Sequence, residues 1–231
     1  MKVLAIIPCY NEEASIKQTV ENLKSSASTV DFIVINDGSR DSTSKICIEN
    51  SFPIIDLPFN LGLANAVQTG MRYACINGYD MALQFDGDGQ HLPEYISEMV
   101  KLMQETSSDI VVGSRYTHRT SRSLRGFGGS LLRFAVKITK GNKLTDPTSG
   151  MRLFNRKMIE RLANQMNHGP EPDTLAYLMN QGASIKEIPV TMQERKAGKS
   201  YIGALNAVNY MLRMVVSILI IQRFRAKENT Y

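Results

Sequence analysis

The 231-residue chain carries 27 Lys and Arg against 22 Asp and Glu, and 43% of it is hydrophobic, enough to bury one sizeable core. With 16 Gly, 8 Pro and no 18-residue stretch free of polar residues, it is neither collagen-like, low-complexity nor a multi-pass membrane protein. Three widely spaced cysteines, Cys9, Cys47 and Cys75, make neither a disulfide framework nor a metal-binding pair and fit a reducing compartment.

The apolar run at the amino terminus, MKVLAII, is too short for a secretory segment of roughly 7–15 apolar residues and reads as a first strand over residues 3–7. A 3.6-residue apolar period then predicts a helix over 12–25, branched residues predict a strand over 32–35, and a second helix spans 41–50 with Asp41, Ser42 and Thr43 as cap candidates. A third helix follows over 65–77, a strand over 81–85 and another over 110–112. Such alternation implies an α/β fold with a doubly wound sheet, whose ligands bind beyond the carboxyl ends of the strands. The polar strings 8–12, 36–41, 86–90 and 113–115 sit at those ends. Further on come a Ser-, Arg- and Gly-rich loop over 117–130, a short amphipathic helix over 131–139 and a helix over 174–180.

Charge is polarised along the chain. Residues 1–109 hold seven basic and fifteen acidic side chains, a net of −8, whereas 110–145 hold eight basic side chains and no acid, and 195–227 hold seven more, again with no acid. Two basic segments point to an anionic partner. Aromatic residues for base stacking are sparse in the Arg-rich loop, which argues against nucleic acid. The second segment surrounds the apolar stretch YIGALNAVNYMLRMVVSILIIQRF, which favours a lipid surface.

The sharpest constellation is Asp86-Gly87-Asp88-Gly89-Gln90-His91. Two carboxylates two residues apart at a strand end can present oxygens to one Mg²⁺ or Mn²⁺, Gln90 can add a neutral oxygen, and a diphosphate would complete the shell. The bland alternative is an Asp-Gly turn. Asp37, in NDGSRDST, is open to two readings: an Asx turn before a helix, or a carboxylate accepting a base N–H in a crevice. DPTSGMR, with Asp146, Ser149 and Arg152, and ERKAGKS, with Arg195 and Lys199, carry groups suited to phosphate oxygens, or are solvated turns.

Taken in order, IPCYNEE, VINDGSRDST, NLGLANAVQTG, QFDGDGQH, VVGSRY, DPTSGMRLF and ERKAGKSYI resemble the strings of family 2 glycosyltransferases of the GT-A fold, in the polyprenyl-phosphate (dolichol-phosphate mannosyltransferase-like) subgroup. The resemblance runs from about residue 3 to 203. It implies a Rossmann-like, mixed, mainly parallel sheet flanked by helices over 1–200; residues 201–231 read as an amphipathic membrane-interface or oligomerisation helix and a basic tail. It also implies that Pro8, Tyr10, Glu12 and Asp37 hold base and ribose, and that Asp86, Asp88 and Gln90 form the metal and diphosphate site. By the same resemblance Arg115, Arg195 and Lys199 face the donor diphosphate and acceptor phosphate, and Asp146, Ser149 and Arg152 border the sugar and acceptor pocket. Relatives usually carry two successive Asp where this chain has Asn36-Asp37, which removes one carboxylate from that string.

The implied reaction is inverting transfer of a sugar, with UDP-glucose or UDP-N-acetylglucosamine the preferred donor, to undecaprenyl phosphate for cell-surface polysaccharide. Two alternatives stand beside it. One is a hydroxyl acceptor with Glu171 or Asp173 as base, and the other is an inactive nucleotide-sugar-binding scaffold. The carboxyl-terminal stretch has a polar stripe at Asn206, Asn209, Arg213 and Ser217. Placing Arg213 at mid-bilayer costs roughly 2.5–3.5 kcal/mol, so the stretch is expected to lie in the membrane interface on the cytoplasmic face rather than span it, with self-association or a small membrane-protein partner.

Overall fold

A computed structural model of the protein describes residues 1–115, 144–164, 172–193, 214, 216 and 217. Its strands are β1 (Val3–Cys9), β2 (Asp31–Asn36), β3 (Ile54–Asp56), β4 (Met81–Gln84), β5 (Ile110–Ser114), β6 (Arg152–Asn155) and β7 (Ile185–Pro189). The helices are α1 (Ile16–Ser26), α2 (Thr43–Glu49), α3 (Leu63–Ile76), α4 (Ile96–Thr106), α5 (Arg156–Asn164) and α6 (Pro172–Asn180).

The strands form one sheet in the order β3-β2-β1-β4-β6-β5-β7. All neighbours are parallel except β6, which runs antiparallel to both β4 and β5. The expected mixed, mainly parallel sheet flanked by helices is therefore present. β1 is buried along its whole length, and its alternation sends side chains to two different cores. Leu4 and Ile6 join the core beneath α3, α5 and α6, whereas Val3, Ala5 and Ile7 join the one beneath α1 and α4. Each large aliphatic side chain so buried contributes about 1.5–3 kcal/mol. α3 approaches β1 closely at Gly70, where a Cβ would come within 2.2 Å of Ile6 Cγ2.

The first helix starts at Ile16, not Glu12, because the amides of Ser15 and Ile16 both turn back on the Glu12 carbonyl at 3.0 and 2.9 Å. The expected strands at 3–7, 32–35, 81–85 and 110–112 correspond to β1, β2, β4 and β5, and the expected helices at 41–50, 65–77 and 174–180 to α2, α3 and α6. The helix expected over 131–139 and the loop over 117–130 lie outside the described residues.

Most of the carboxyl-terminal stretch also lies outside them. At its described positions Met214 is buried in the core with α6, Ser217 is buried and donates a 2.6 Å hydrogen bond to Asp173, and Val216 is exposed. Among the described residues, no helix is long and apolar enough to cross a membrane.

Candidate active site

The antiparallel β6 explains why distant strings converge. Parallel strands deliver the loops that follow them to the carboxyl rim of the sheet, and an antiparallel strand delivers to that same rim the loop that precedes it. Gln84, the last residue of β4, stands opposite Arg152, the first of β6, so the 144–151 loop arrives beside Asp86. β7 ends opposite Ser114 and brings Thr191 to Gln193 to the same edge.

At the amino-terminal side, two loops are knitted together. The Asn11 amide donates to Ser39 Oγ and the Arg40 amide to Asn11 Oδ1, at 2.9 and 2.8 Å. The Glu12 amide donates to Thr43 Oγ1, and Glu12 Oε2 accepts the Ser15 hydroxyl at 2.7 Å. A hollow of about 410 Å³ opens here, lined by Asn11, Glu12, Glu13, Ala14, Arg40 and Asp41. Pro8 is buried at the end of β1 and Tyr10 half-buried beyond it.

Asp37 is buried, and its two carboxylate oxygens accept the amides of Leu61 and Gly62 at 2.7 and 2.8 Å. Gly38 beside it has φ +65°, and a Cβ there would lie 2.5 Å from the Phe59 carbonyl carbon, so glycine is required on both counts. Asp37 therefore shapes the crevice through the backbone of the 59–62 loop. Asn36 donates to Asp56 Oδ1 at 2.6 Å and accepts from Ser39, so its amide is part of the same scaffold.

The acidic pair follows β4. Gly87 lets this turn close on β1: its amide donates to the Pro8 carbonyl, and its own carbonyl accepts the hydroxyls of Ser15 and Thr19. Asp86 Oδ1 accepts Gln84 Nε2 at 3.0 Å, and the Asp86 amide donates to His91 Nδ1 at 3.0 Å. Asp88 Oδ1 accepts the Gln90 amide, and Gln90 in turn donates through Nε2 to the Gln193 carbonyl at 3.4 Å while its own carbonyl accepts the Gln193 amide. The structure thus brings Asp86, Asp88 and Gln90 into one turn, with the Asp86 side chain 30% exposed.

Among the described residues no cluster of three or more His, Cys, Asp or Glu forms a self-sufficient metal cage. Two carboxylates plus one amide oxygen is instead the partial, hard-oxygen donor set suited to Mg²⁺ or Mn²⁺ held jointly with substrate phosphates. A glycine cradle adds to that fit: a Cβ at Gly150 would come within 2.5 Å of Asp86 Oδ2, so the DPTSG turn is packed against the carboxylate it accompanies.

On the other side of that turn lies Arg115. Its Nε and Nη2 donate to Asp146 Oδ2 and Oδ1 at 2.6 and 2.9 Å, its amide to Oδ2 at 3.1 Å, and Nη2 also to Thr148 Oγ1 at 2.7 Å. Asp146 is fully buried while Arg115 remains 34% exposed. Burial alone would raise the Asp146 pKa, but the Arg115 guanidinium and its hydrogen bonds outweigh it and hold the carboxyl below its ordinary value. Ser149 and Arg152 are also buried, and Arg152 donates to the carbonyls of Ser149 and Pro147 at 2.8 and 2.9 Å. Both act inside the turn rather than on its surface.

Glu187 of β7 was not apparent from the sequence. Its carboxylate accepts the amides of Thr145 and Asp146 and the Thr145 hydroxyl at 2.8–3.0 Å, anchoring the loop that carries Asp146. The alternation of Ile185, Glu187 and Pro189 with Lys186 and Ile188 marks an edge strand but gives no sign of that partner. Arg195, Lys199 and Glu171 lie outside the described residues, although Gln193, bonded to Gln90, leads into the segment that holds Arg195.

Residues 4–163 match the family model described as glycosyl transferase family 2. The chain is 29% identical over 216 residues to an undecaprenyl-phosphate mannosyltransferase of Micrococcus luteus, covering 87% of each chain. It is 31% identical to a UDP-N-acetylglucosamine–dolichyl-phosphate N-acetylglucosaminyltransferase of Methanococcus voltae, covering 81% of this chain and 84% of that one. In fold it is similar to glucosyl-3-phosphoglycerate synthase of Mycobacterium tuberculosis, crystallised with Mn²⁺, UDP-glucose and phosphoglyceric acid, with a TM-score of 0.70 at 17% identity over 96% of this chain and 79% of that one. A mannosyltransferase of Pyrobaculum calidifontis in complex with GDP-Man and Mn²⁺ gives a TM-score of 0.61 at 15% identity, over 96% and 68%. The ordered strings, the mixed sheet and the matched family model together make this chain a glycosyltransferase of family 2.

Proposed function

We propose that the protein transfers a sugar, with inversion, from a nucleotide diphosphate to the phosphate of a polyprenyl carrier, undecaprenyl phosphate in a bacterial membrane. The observation that carries this reading is the pair of sites joined by one turn: the Asp86–Asp88 acidic turn packs against Gly150, and Asp146, four residues earlier in the same loop, anchors Arg115 from the end of β5. An acidic turn suits a metal-bound diphosphate, and an immobilised guanidinium beside it suits a second, acceptor phosphate. Two curated relatives named for polyprenyl- or dolichyl-phosphate acceptors, each matched over more than 80% of this chain, support the same acceptor class.

Asp86, Asp88 and Gln90 are the residues that would hold Mg²⁺ or Mn²⁺, which when bound neutralises the charge developing on the leaving diphosphate. The remaining work falls to the chain. The 8–12 and 36–41 loops, with the 59–62 loop set by Asp37, hold the nucleoside. Arg115, together with Arg195 and Lys199, holds the acceptor phosphate in line behind the anomeric carbon. A monosubstituted phosphate with a second pKa of about 6 is mostly dianionic at pH 7, so it attacks without a general base. Asp173, which with Glu171 is one of the two candidate bases for a hydroxyl acceptor, accepts the Ser217 hydroxyl. We place the reaction at the cytoplasmic face of the membrane, with the carboxyl-terminal basic stretch near the headgroups.

UDP-glucose or UDP-N-acetylglucosamine is the proposed donor. Purified protein is incubated with Mn²⁺, undecaprenyl phosphate and radiolabelled UDP-glucose, UDP-N-acetylglucosamine or GDP-mannose, and label is counted in the organic phase. Organic-phase label from a UDP-sugar, lost in Asp88→Asn and retained in Glu171→Gln and Asp173→Asn, is the expected result. Label from GDP-mannose alone overturns the donor assignment. Label passing only to a hydroxyl acceptor, and lost with Glu171→Gln or Asp173→Asn, overturns the acceptor.

A further inference from the structure

Asp86 is held from three sides, and two of the groups that hold it have no other evident use. Gln84 is 1% exposed on a strand whose other members, Met81, Ala82 and Leu83, are apolar. A leucine or methionine would suit that position, yet the chain places an amide there. Its Nε2 reaches Asp86 Oδ1 at 3.0 Å, while its Oε1 is buried with no hydrogen-bond partner among the described residues. Leaving a buried carbonyl oxygen unpaired opposes folding, so this glutamine is not explained by stability. His91, 2% exposed, packs edge-on against Phe85 at 5.5 Å and accepts the Asp86 amide through Nδ1. That bond fixes the tautomer, because the lone pair is on Nδ1 and the proton on Nε2. Nε2 lies 3.6 Å from Asp86 Oδ2, too long for a hydrogen bond, so the imidazole acts on Asp86 through the backbone.

We infer that Gln84 and His91 are positioning residues for Asp86: the amide fixes the rotation of the carboxylate, and the imidazole fixes the backbone from which it projects. The inference rests on the reading of Asp86 as part of the donor site. Both side chains are buried, so they act through Asp86. Outer partners of this kind commonly change metal affinity by about 10- to 100-fold when removed.

The test measures Mn²⁺ binding in the presence of UDP, by the electron paramagnetic resonance signal of free Mn²⁺, alongside the thermal midpoint and the separate KM values for donor and acceptor. Gln84→Met, which keeps the volume and removes the donor, is expected to weaken Mn²⁺–UDP binding about tenfold or more without lowering the midpoint, and to raise the donor KM while leaving the acceptor KM unchanged. His91→Leu should weaken it similarly. His91→Asn, whose Oδ1 can replace Nδ1 as the acceptor for the Asp86 amide, should restore binding to within about threefold of wild type. Gln84→Met binding Mn²⁺–UDP as the wild type does, or His91→Asn behaving like His91→Leu, overturns the assignment for that residue. Asp86→Asn separates the two levels: if it leaves Mn²⁺–UDP binding intact, the donor-site reading itself fails, whereas if it abolishes binding that Gln84→Met preserves, only the positioning role fails.

Discussion

Asp146 accepts the Arg115 guanidinium through both carboxylate oxygens and the Arg115 backbone amide through one of them, so a fully buried anion fixes a partly exposed cation at the edge of the site. Bidentate pairing of this kind sets the plane of the guanidinium as well as its position. Asp146→Asn keeps the shape and removes the charge. It should raise the KM for polyprenyl phosphate about tenfold or more and leave the donor KM within about twofold, because Arg115 faces the acceptor in the proposed reaction. Asp146→Ala also leaves hydrogen-bond donors unpaired and should cost about 1–3 kcal/mol in urea unfolding. Equal rises in both KM values would show that the pair serves the whole rim rather than the acceptor.

The loop that supplies Asp146 is tied to Glu187, and the two carboxyls shift in opposite directions. Burial pushes Glu187 above its ordinary 4.5, more than the hydrogen bonds from Thr145 and Asp146 offset. Asp146 is held below 3.8 despite its burial. The folded state therefore favours the protonated form of Glu187, whose contribution to stability is complete below pH 4.5 and is lost as pH rises through its folded value. For Asp146 the contribution is complete above 3.8 and is lost as pH falls through its folded value. Urea unfolding of wild type and Glu187→Gln from pH 4 to pH 7 tests the first sign. The stability advantage of the wild type should shrink as pH rises from 4.5, and a constant gap would refute it.

Asn36 explains itself through Asp56. The two end neighbouring parallel strands in register, with the amide nitrogen 2.6 Å from the carboxylate oxygen, while Asp56 Oδ2 also accepts the Ser44 hydroxyl. An aspartate at 36, the residue expected from the family resemblance, would set two carboxylates face to face. Asn36→Asp is expected to destabilise the protein by about 1–3 kcal/mol at pH 7, and adding Asp56→Asn should recover most of that loss. Additive losses in the double variant would mean that the two side chains do not act as a pair.

The elements that were legible in the sequence are those whose own residues carry the signal. β1, β2 and β5 are runs of branched residues, and α3 repeats its apolar positions over 14 residues. β3 is three residues long, β6 begins with a buried arginine and β7 carries charges on an edge, so each is defined by its neighbours rather than by its composition. α4 lies outside the expected elements although Ile96, Met99 and Met103 carry helical spacing. The site divides the same way. Asp86, Asp88, Gln90, Asp146 and Arg115 announce themselves by motif, whereas Gln84 matters through the orientation of its amide toward Asp86 two residues on, and Glu187 through the loop that lies against the edge strand β7. A motif records which groups are present, but the orientation of a carboxylate depends on contacts made across the sheet.

Gly150 is such a contact, and it yields a test that needs no knowledge of the sugar. Its φ lies outside the left-handed region, so alanine is compatible with the backbone, and the obstacle is the Asp86 Oδ2 atom 2.5 Å from the new Cβ. A side-chain carboxylate that is 30% exposed can swing away, so Gly150→Ala should fold with little loss of stability and displace Asp86 instead. Turnover is expected to fall about tenfold or more, with the weaker Mn²⁺–UDP binding that misplacement of a ligand produces. The double variant decides the cause. If Gly150 acts only by making room for Asp86, then Gly150→Ala adds nothing to Asp86→Asn, since the group that it would displace has already lost its role. A further loss in the double variant would place a second function on the turn itself, with Asp146 and Arg115 at its other end as the groups to examine.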